Sequence, residues 1–320
     1  MTESAEKTAP TLAPLAAPRG GAVSPLRRPG GTDVAGPGRE RKRASARRRA
    51  LWKHALLIAA SLLMLYPLLW MLGSAFKPEH LIFSDLSLWP AEWKWTNFAQ
   101  GWNGLSVSFT QFYVNSFIVA GLSVAGNLMA CSLAAFAFAR LGFPLKRLWF
   151  VLMLGTLMLP YHVTLIPQYV LFLKLDWVGT FLPLVVPKFL AVDAFFIFLM
   201  VQFFRGIPRE LDEAAMMDGC GPWRIYWKIL LPLSTPVLAT AAIFSFIWAY
   251  DDFFGPLVYL NDVHRYTVPL ALRTFVDDTG RSDWGPLFAM SVLSLVPLFA
   301  IFLFCQRFLI QGIATSGLKR

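Results

Sequence analysis

Apolar positions along this chain neither alternate nor recur on a single helical face; they gather into long blocks divided by short polar stretches. Six blocks, near residues 55–76, 113–139, 148–173, 177–204, 229–252 and 284–306, are uncharged or nearly so. A helix needs about 20 mostly apolar residues to cross the hydrocarbon core of a bilayer. Backbone groups in lipid must be satisfied within the spanning structure, and blocks of this length suit helices rather than the ten-residue alternating strands of a barrel. The pattern therefore predicts an all-α polytopic membrane protein with six transmembrane helices. The fourth block is the most polar, because it holds Lys188 and Asp193. Either charge costs roughly 2.5–3.5 kcal/mol at a bilayer centre, so the two are expected to pair or to line something polar. Pro67, Pro160, Pro167, Pro183 and Pro187 interrupt hydrogen bonding inside the blocks, as kinks or beside a cavity. Gly126, Ala130 and Ala134, four residues apart, predict a smooth face for close helix packing.

Composition agrees with that pattern. Of 320 residues, 56% are hydrophobic and 15% charged, with a mean hydropathy of +0.54. Soluble domains run near 45–50% apolar and about 25% charged, so an ordinary soluble fold is excluded. The net charge of +10 admits an acidic partner or an anionic membrane surface, and its distribution selects the second. Eleven of the 29 Lys and Arg lie in residues 1–50, just ahead of the first apolar block, as a juxtamembrane basic segment expected to meet lipid headgroups and no nucleic acid. Across the six blocks, 22 of the 29 basic residues fall on the side shared by both termini and 7 on the other. This predicts a multi-pass protein of the cytoplasmic membrane with N- and C-termini in the cytoplasm. Residues 1–50 hold six Pro, six Gly and no aromatic residue, and are expected to be a disordered basic tail. The first block is too long for a signal-peptide core and is expected to remain as an anchor. Residues 51–320 are expected to hold the six transmembrane helices. Cys131, Cys220 and Cys305 suggest neither a disulfide framework nor a metal site.

One polar segment is too patterned for a linker. Between the fourth and fifth blocks, on the expected cytoplasmic side, Arg205 to Lys228 reads RGIPRELDEAAMMDGCGPWRIYWK. Pro208 suits a first helical position, Arg209 and Glu213 stand at i,i+4, and Gly219 suits a left-handed cap. After Gly221 and Pro222 a second helical run leads to Pro232. The result is a hairpin over 205–232. Its first helix presents Leu211, Ala214, Ala215 and Asp218 beside Glu213, a slim surface able to seat in a groove and accept bonds from a partner's Arg or Lys. Composition also admits a hairpin resting on the membrane surface.

The residues themselves carry a resemblance. Glu213-Ala214-Ala215, Gly219, Ile229, Leu231 and Pro232, at these spacings, resemble the EAA loop of ABC importer permeases. Asn115-Ser116, Ala139-Arg140-Leu141 with Phe143-Pro144, Met158-Leu159-Pro160, Val163 to Pro167, and Gln306-Arg307-Phe308 with Gly312 are similar to the carbohydrate-uptake branch, the second permease of a maltose-type pair. The resemblance covers about residues 51–320 and implies a type I importer fold. It also implies a sister permease in a heterodimer, two cytosolic ATP-binding subunits docking on Glu213, Ala214, Ala215, Asp218 and Gly219, and an extracytoplasmic solute-binding protein that delivers a sugar. Two departures, Tyr250-Asp251-Asp252-Phe253 for the usual Trp-Asn-Asp-Phe and His162 after the Met-Leu-Pro, fall near the expected path and leave the sugar unspecified.

No phosphate-cradling G-x-x-x-x-G-K-[ST], no HExxH and no G-x-S-x-G occurs. The chain is expected to be no enzyme, with no cofactor or metal of its own and ATP bound by a partner subunit. For the translocation pathway the candidates are Gln168, Tyr169, Tyr250, Asp251 and Asp252, with Lys188 and Asp193 as an ion pair; sugars favour aromatic faces and polar side chains. In the outer segments, Trp89, Trp93, Trp95 and Trp102 suit a headgroup belt, and 254–283, with Asp262, Asp277, Asp278 and Asp283, is the candidate dock for the binding protein. An ion-coupled secondary transporter titrating Asp193, Asp251 and Asp252, and an ABC permease for a non-sugar solute, are the alternatives.

Overall fold

The computed structural model describes residues 37–276 and 282–317, and among these every regular element is helical. The chain divides into two units, Met1–Leu62 and Leu63–Arg320. Helix α1 (Pro37–Ser74) begins in the first unit and is already formed at Pro37, so residues 37–50 correct the expectation of disorder. Pro37 suits a first helical position, and the Arg, Lys, Glu and Ala that follow are good helix formers continuing into the apolar block. Residues 1–36 lie outside the described ones. The side chains of 50–62 are exposed throughout. Leu51, Trp52, Leu56 and Leu57 among them require cover from lipid or another chain.

The second unit holds the remaining spans. Helix α2 (Phe109–Arg140) is long enough to cross a bilayer unbroken. The third block is two helices, α3 (Lys146–Thr156) and α4 (Tyr161–Lys174), bent by 99° at Pro160. The fourth block, Leu182–Gly206, is interrupted by a 3₁₀ turn at Val186–Leu190 and by Ala191 at φ +56 before helix α5 (Ala194–Gly206). Helix α6 (Glu210–Met217) follows, and then α7 and α8 (Pro222–Leu233 and Thr235–Tyr250), bent by 77°. Helix α9 (Trp284–Gly317) ends the described chain. Four helical stretches are therefore long and apolar enough to span a membrane, or six when each bent pair counts as one. The six blocks are located as expected, but Pro160 and the Leu233–Ser234 junction break two of them, whereas Pro67, Pro167 and Pro297 stay inside helices.

Helix α2 is the centre of this unit. Its C-terminal half packs Cys131, Ala135, Phe136 and Ala139 against Phe196, Met200 and Phe204 of α5 and Val237 and Ala241 of α8. Its N-terminal end packs Phe109 and Phe112 against Ala271, Phe275, Ala289 and Met290. Lipid tails are as apolar as these side chains, so helix association rests on close contact and internal hydrogen bonds. The packing stripe differs from the expected one: Gly126 is buried, but Ala130 and Ala134 are only partly so. Polar residues Ser116, Ser123, Asn127 and Ser132 share the buried face instead, and Ser116, Asn127 and Ser132 hydrogen-bond across it. At Gly126 a Cβ would stand 2.8 Å from Phe189 and 2.9 Å from the Lys188 carbonyl carbon, so the absent side chain is what lets the 3₁₀ turn lie against α2.

Candidate functional site

The 205–232 segment is a hairpin, as the sequence pattern implies. Helix α6 starts two residues after Pro208, not on it. At its end Gly219 adopts φ +77, Gly219 N–H donates to Met216 O at 3.0 Å, and Cys220 N–H donates to Ala215 O at 2.9 Å. This pair of bonds satisfies the last carbonyls and requires a left-handed residue that only glycine adopts without strain. Glu213, Ala214, Met216, Met217, Asp218 and Gly219 are exposed. Ala215 is not: it is 7% exposed and turns inward, which corrects its place on the presented surface. Two methionines occupy that surface instead, with Met217 89% exposed.

Asp212 and Arg140 hold the hairpin to α2. Arg140 Nε lies 3.0 Å from Asp212 Oδ2, with the side chains 6% and 8% exposed, and Arg140 Nη2 donates to Ile207 O at 2.9 Å. The Nε–H is not aimed along the contact and Asp212 Oδ1 has no donor among the described residues, so the pair attracts as buried charges rather than as a two-bond fork. The expected Arg209–Glu213 pair gives way to this one. A second tie joins α7 to α2, where Tyr226 Oη and Ser132 Oγ lie 2.7 Å apart in the interior. Tyr226–Leu230 is wound as a π-turn, a form common at functional sites.

Within the spanning region, a cavity of about 70 Å³ opens among α2, the 3₁₀ turn, α5 and α8, and Lys188, Asp193 and Asp252 line it. Lys188 Nζ donates to Asp193 Oδ2 at 2.9 Å and to Oδ1 at 3.3 Å. Breaking the helix at 186–193 frees both side chains to meet beside a polar pocket, the arrangement in which charges are tolerated at membrane depth. Asp252 Oδ1 accepts from Gly255 N–H at 3.1 Å. Asn127 Nδ2 donates to Ser245 Oγ at 2.9 Å across the α2–α8 contact, and Ser123 Oγ, buried on the same wall, has no hydrogen-bond partner among the described residues. Trp248 also lines the cavity.

The remaining path candidates lie elsewhere. Tyr250 is buried, with its ring stacked on Phe246 at 5.5 Å and beside Phe117. Gln168 and Asp251 are exposed outside the cavity. Tyr169 stacks on Tyr259 at 6.4 Å. Sequence reasoning missed Ser123, Asn127, Ser245 and Trp248, although Ser123 and Asn127, four residues apart in an apolar span, place two polar groups on one face. No cluster of three or more His, Cys, Asp or Glu gathers for a metal among the described residues.

Residues 126–315 match the family model described as the binding-protein-dependent transport system inner membrane component. The chain belongs to this family. It is a permease subunit of a multi-pass membrane transport system rather than an enzyme, and the family works with ATPase and binding-protein partners. The chain is 34% identical, over 79% of its length and 83% of the relative's, to the probable ABC transporter permease protein YurM of Bacillus subtilis (strain 168). It is 29% identical to the diacetylchitobiose uptake system permease protein NgcG of Streptomyces coelicolor, over 87% of this chain and 91% of that one. The sn-glycerol-3-phosphate transport system permease protein UgpE of Yersinia enterocolitica shares 31% identity over 82% and 95%. Among solved structures, a bacterial ABC transporter involved in import of the acidic polysaccharide alginate superposes with a TM-score of 0.72 at 20% identity, covering 82% of this chain and 97% of that one. This likeness supports the importer fold.

On the opposite face of this permease, the segment between α1 and α2 is folded rather than loose. Lys77 is fully buried, its Nζ donating to Asp85 O at 2.5 Å and Ser87 O at 2.7 Å. Asn97 Nδ2 donates to Ala75 O at 3.0 Å and Lys77 O at 2.9 Å. Ser87 N–H and Oγ–H on the Asp85 carboxylate hold its pKa below the ordinary value, with Lys77 adding a smaller pull. Trp89, Trp93 and Trp95 surround this knot with exposed rings, whereas Trp102 turns inward to donate to Thr110 Oγ1 at 3.1 Å. In the candidate dock, Asp262 caps the turn at His264 N–H at 3.0 Å and Asp283 is exposed. Asp277 and Asp278 lie outside the described residues.

Proposed function

We propose that the permease is one half of an ATP-driven sugar importer, with α6 as the surface on which a nucleotide-hydrolysing partner docks. The observation that carries this reading is a short acidic helix, capped by Gly219 at φ +77 and tied by Arg140 to a spanning helix, that leaves Glu213, Ala214, Asp218 and Gly219 exposed. A rigidly held helix end transmits a push; a loosely attached one absorbs it. Ala215 serves the same surface from inside by seating the helix. Both termini lie in the cytoplasm on this reading, in agreement with the 22-to-7 division of basic residues. ATP is bound by two cytosolic subunits, and closure of that pair rocks this chain against a sister permease, so that a central path opens alternately to each side. A solute-binding protein delivers cargo to the outer loops, including 254–276.

The cargo is a neutral sugar or sugar derivative. Lys188, the cation of the cavity lining, is already paired with Asp193, which leaves no free positive charge there for an anionic cargo. Hydroxyl-bearing Ser123 and Ser245, amide Asn127 and the ring of Trp248 suit a polyhydroxylated ligand. At about 70 Å³ the cavity is too small for a whole sugar ring and is one wall of the path. Asp251, Gln168 and Tyr169 remain candidates for the portion shared with the sister permease, and Tyr250 for support beneath it. The test is Glu213→Lys in the reconstituted transporter. Uptake and substrate-stimulated ATP hydrolysis are expected to fall while the chain still inserts; unchanged values for both would overturn the docking role. Uptake driven by an ion gradient without ATP would establish the secondary-transport alternative instead.

A further inference from the structure

Helix α2 is tied at both ends and in the middle by side-chain hydrogen bonds, and it is the one membrane-length helix among those described that is neither bent, interrupted nor proline-bearing. At the outer end, Asn115 Nδ2 donates to the carbonyls of His264 and Tyr266 at 2.8 and 2.9 Å, while Gln111 Nε2 donates to Asn115 Oδ1 at 3.0 Å and fixes the amide's orientation. Val268 N–H donates to Ser116 Oγ at 2.8 Å. Thr267 provides no side-chain cap for the helix Val268–Arg273, so Ser116 supplies that cap from α2. Asn115 and Ser116 are 2% and 1% exposed. In the middle Asn127 holds Ser245. At the inner end Ser132 meets Tyr226, and Arg140 holds Asp212 and Ile207 O.

We propose that Asn115 and Ser116 are positioning residues for coupling: they lock the outer 263–268 turn to α2, so that engagement of the binding protein there moves α2 as one rod and shifts the docking helix α6. This deepens the importer reading above and rests on it. Asn115 and Arg140 are separated by 25 positions of one helix, about 37 Å at 1.5 Å per residue. Apolar contacts along the rod carry no direction, whereas hydrogen bonds are directional and fix the position of the groups they join. A shift at one end is therefore carried to the other through the tied groups, not lost in the packing. Gly126 does not soften the rod, because Phe189 and the Lys188 backbone close on it. Position between two sites is not by itself coupling, so the claim turns on function.

The experiment uses the whole transporter in nanodiscs with its binding protein, comparing wild type, Asn115→Ala, Ser116→Ala and Ser116→Thr. Copurification of the ATPase subunits and basal ATP hydrolysis report the docking reading; the ratio of binding-protein-stimulated to basal hydrolysis reports the rod. Expected is normal assembly and basal rate in all four, with the stimulation ratio down at least tenfold in the two Ala variants and retained in Ser116→Thr, which keeps the hydroxyl. A ratio within twofold of wild type in both Ala variants overturns the proposal. A second variant covers the case in which those proteins fail to assemble. Leu122→Gly with Met129→Gly changes two exposed positions of α2, touches none of its ties and softens only the helix between them. Stimulation is expected to fall there too, and stimulation within twofold of wild type overturns the rod.

Discussion

Removing Arg140 isolates the attachment of helix α6 from its surface. Arg140→Met keeps the length and apolar bulk of the side chain while leaving Asp212, 8% exposed with one oxygen already lacking a donor, without its countercharge. Ile207 O loses its donor as well. Breaking a buried ion pair by removing one partner costs roughly 3–5 kcal/mol, and at the lower figure the opening equilibrium of the hairpin shifts by roughly 150-fold. Because helix α6 has few other deeply buried groups, Asp212 and Ala215 alone within it, that cost falls on local opening rather than on global unfolding. Hydrogen exchange by mass spectrometry on the full chain in nanodiscs reads it directly. Amides of 210–220 are expected to lose about 100-fold protection, on the scale of that shift, while those of α5 are unchanged. Arg140→Met combined with Asp212→Leu replaces the pair by apolar groups and is expected to recover most of the protection, since such exchanges are often neutral. Exchange in the single variant within threefold of wild type, or a double variant no better protected than the single, would refute the attachment.

Other expected outcomes follow from the same geometry. Gly219→Ala puts a Cβ at φ +77 with nothing within 4 Å to clash, so its cost is backbone strain of about 1–2 kcal/mol. Amides 215–220 should exchange several-fold faster at unchanged global melting temperature, and a lower melting temperature would show that the helix end is part of the core. Gly126→Ala forces a methyl against Phe189 and the Lys188 backbone, an overpacking worth roughly 1–3 kcal/mol. Thermal unfolding in detergent should fall by several degrees, and no change would mean that the 3₁₀ turn does not pack against α2. Asp85 has its carboxyl pKa depressed by Ser87, so its contribution to the knot around Lys77 is fully present above the ordinary carboxylate pKa and is lost as pH falls through the lower folded value. Fluorescence of the surrounding tryptophans should hold to below about pH 4, and Ser87→Ala should move the change to higher pH; an unmoved transition removes Ser87 as the cause.

How much of this was legible in the sequence depended on whether the information is local. The six apolar blocks, the hairpin and the glycine cap follow from composition and spacing, which act through neighbouring residues. The sharp bends did not follow, because prolines alone do not mark them: Pro160 breaks its block but Pro167 rides inside a helix, and the difference lies in what neighbouring elements offer the freed carbonyls. The inward turn of Ala215 and the Arg140–Asp212 tie were also hidden. Arg140 and Asp212 are 72 positions apart, and an i,i+4 partner for Arg209 looked equally good. Of the path candidates, Lys188, Asp193 and Asp252 meet at one cavity, while Tyr250 is drawn into ring stacking that only the tertiary arrangement reveals. The early helix start at Pro37 shows good helix formers prevailing where a Pro- and Gly-rich composition pointed to disorder.

Met217 is the most exposed residue of helix α6, at 89%, and neither ties nor core depend on it. A photo-reactive amino acid placed at position 217 in intact cells tests the central claim most directly. The account expects capture of an ATP-hydrolysing subunit, reduced by Glu213→Lys, and protection of the position from membrane-impermeant reagents added outside. Failure to capture such a subunit, or labelling of position 217 from the exterior, would contradict it.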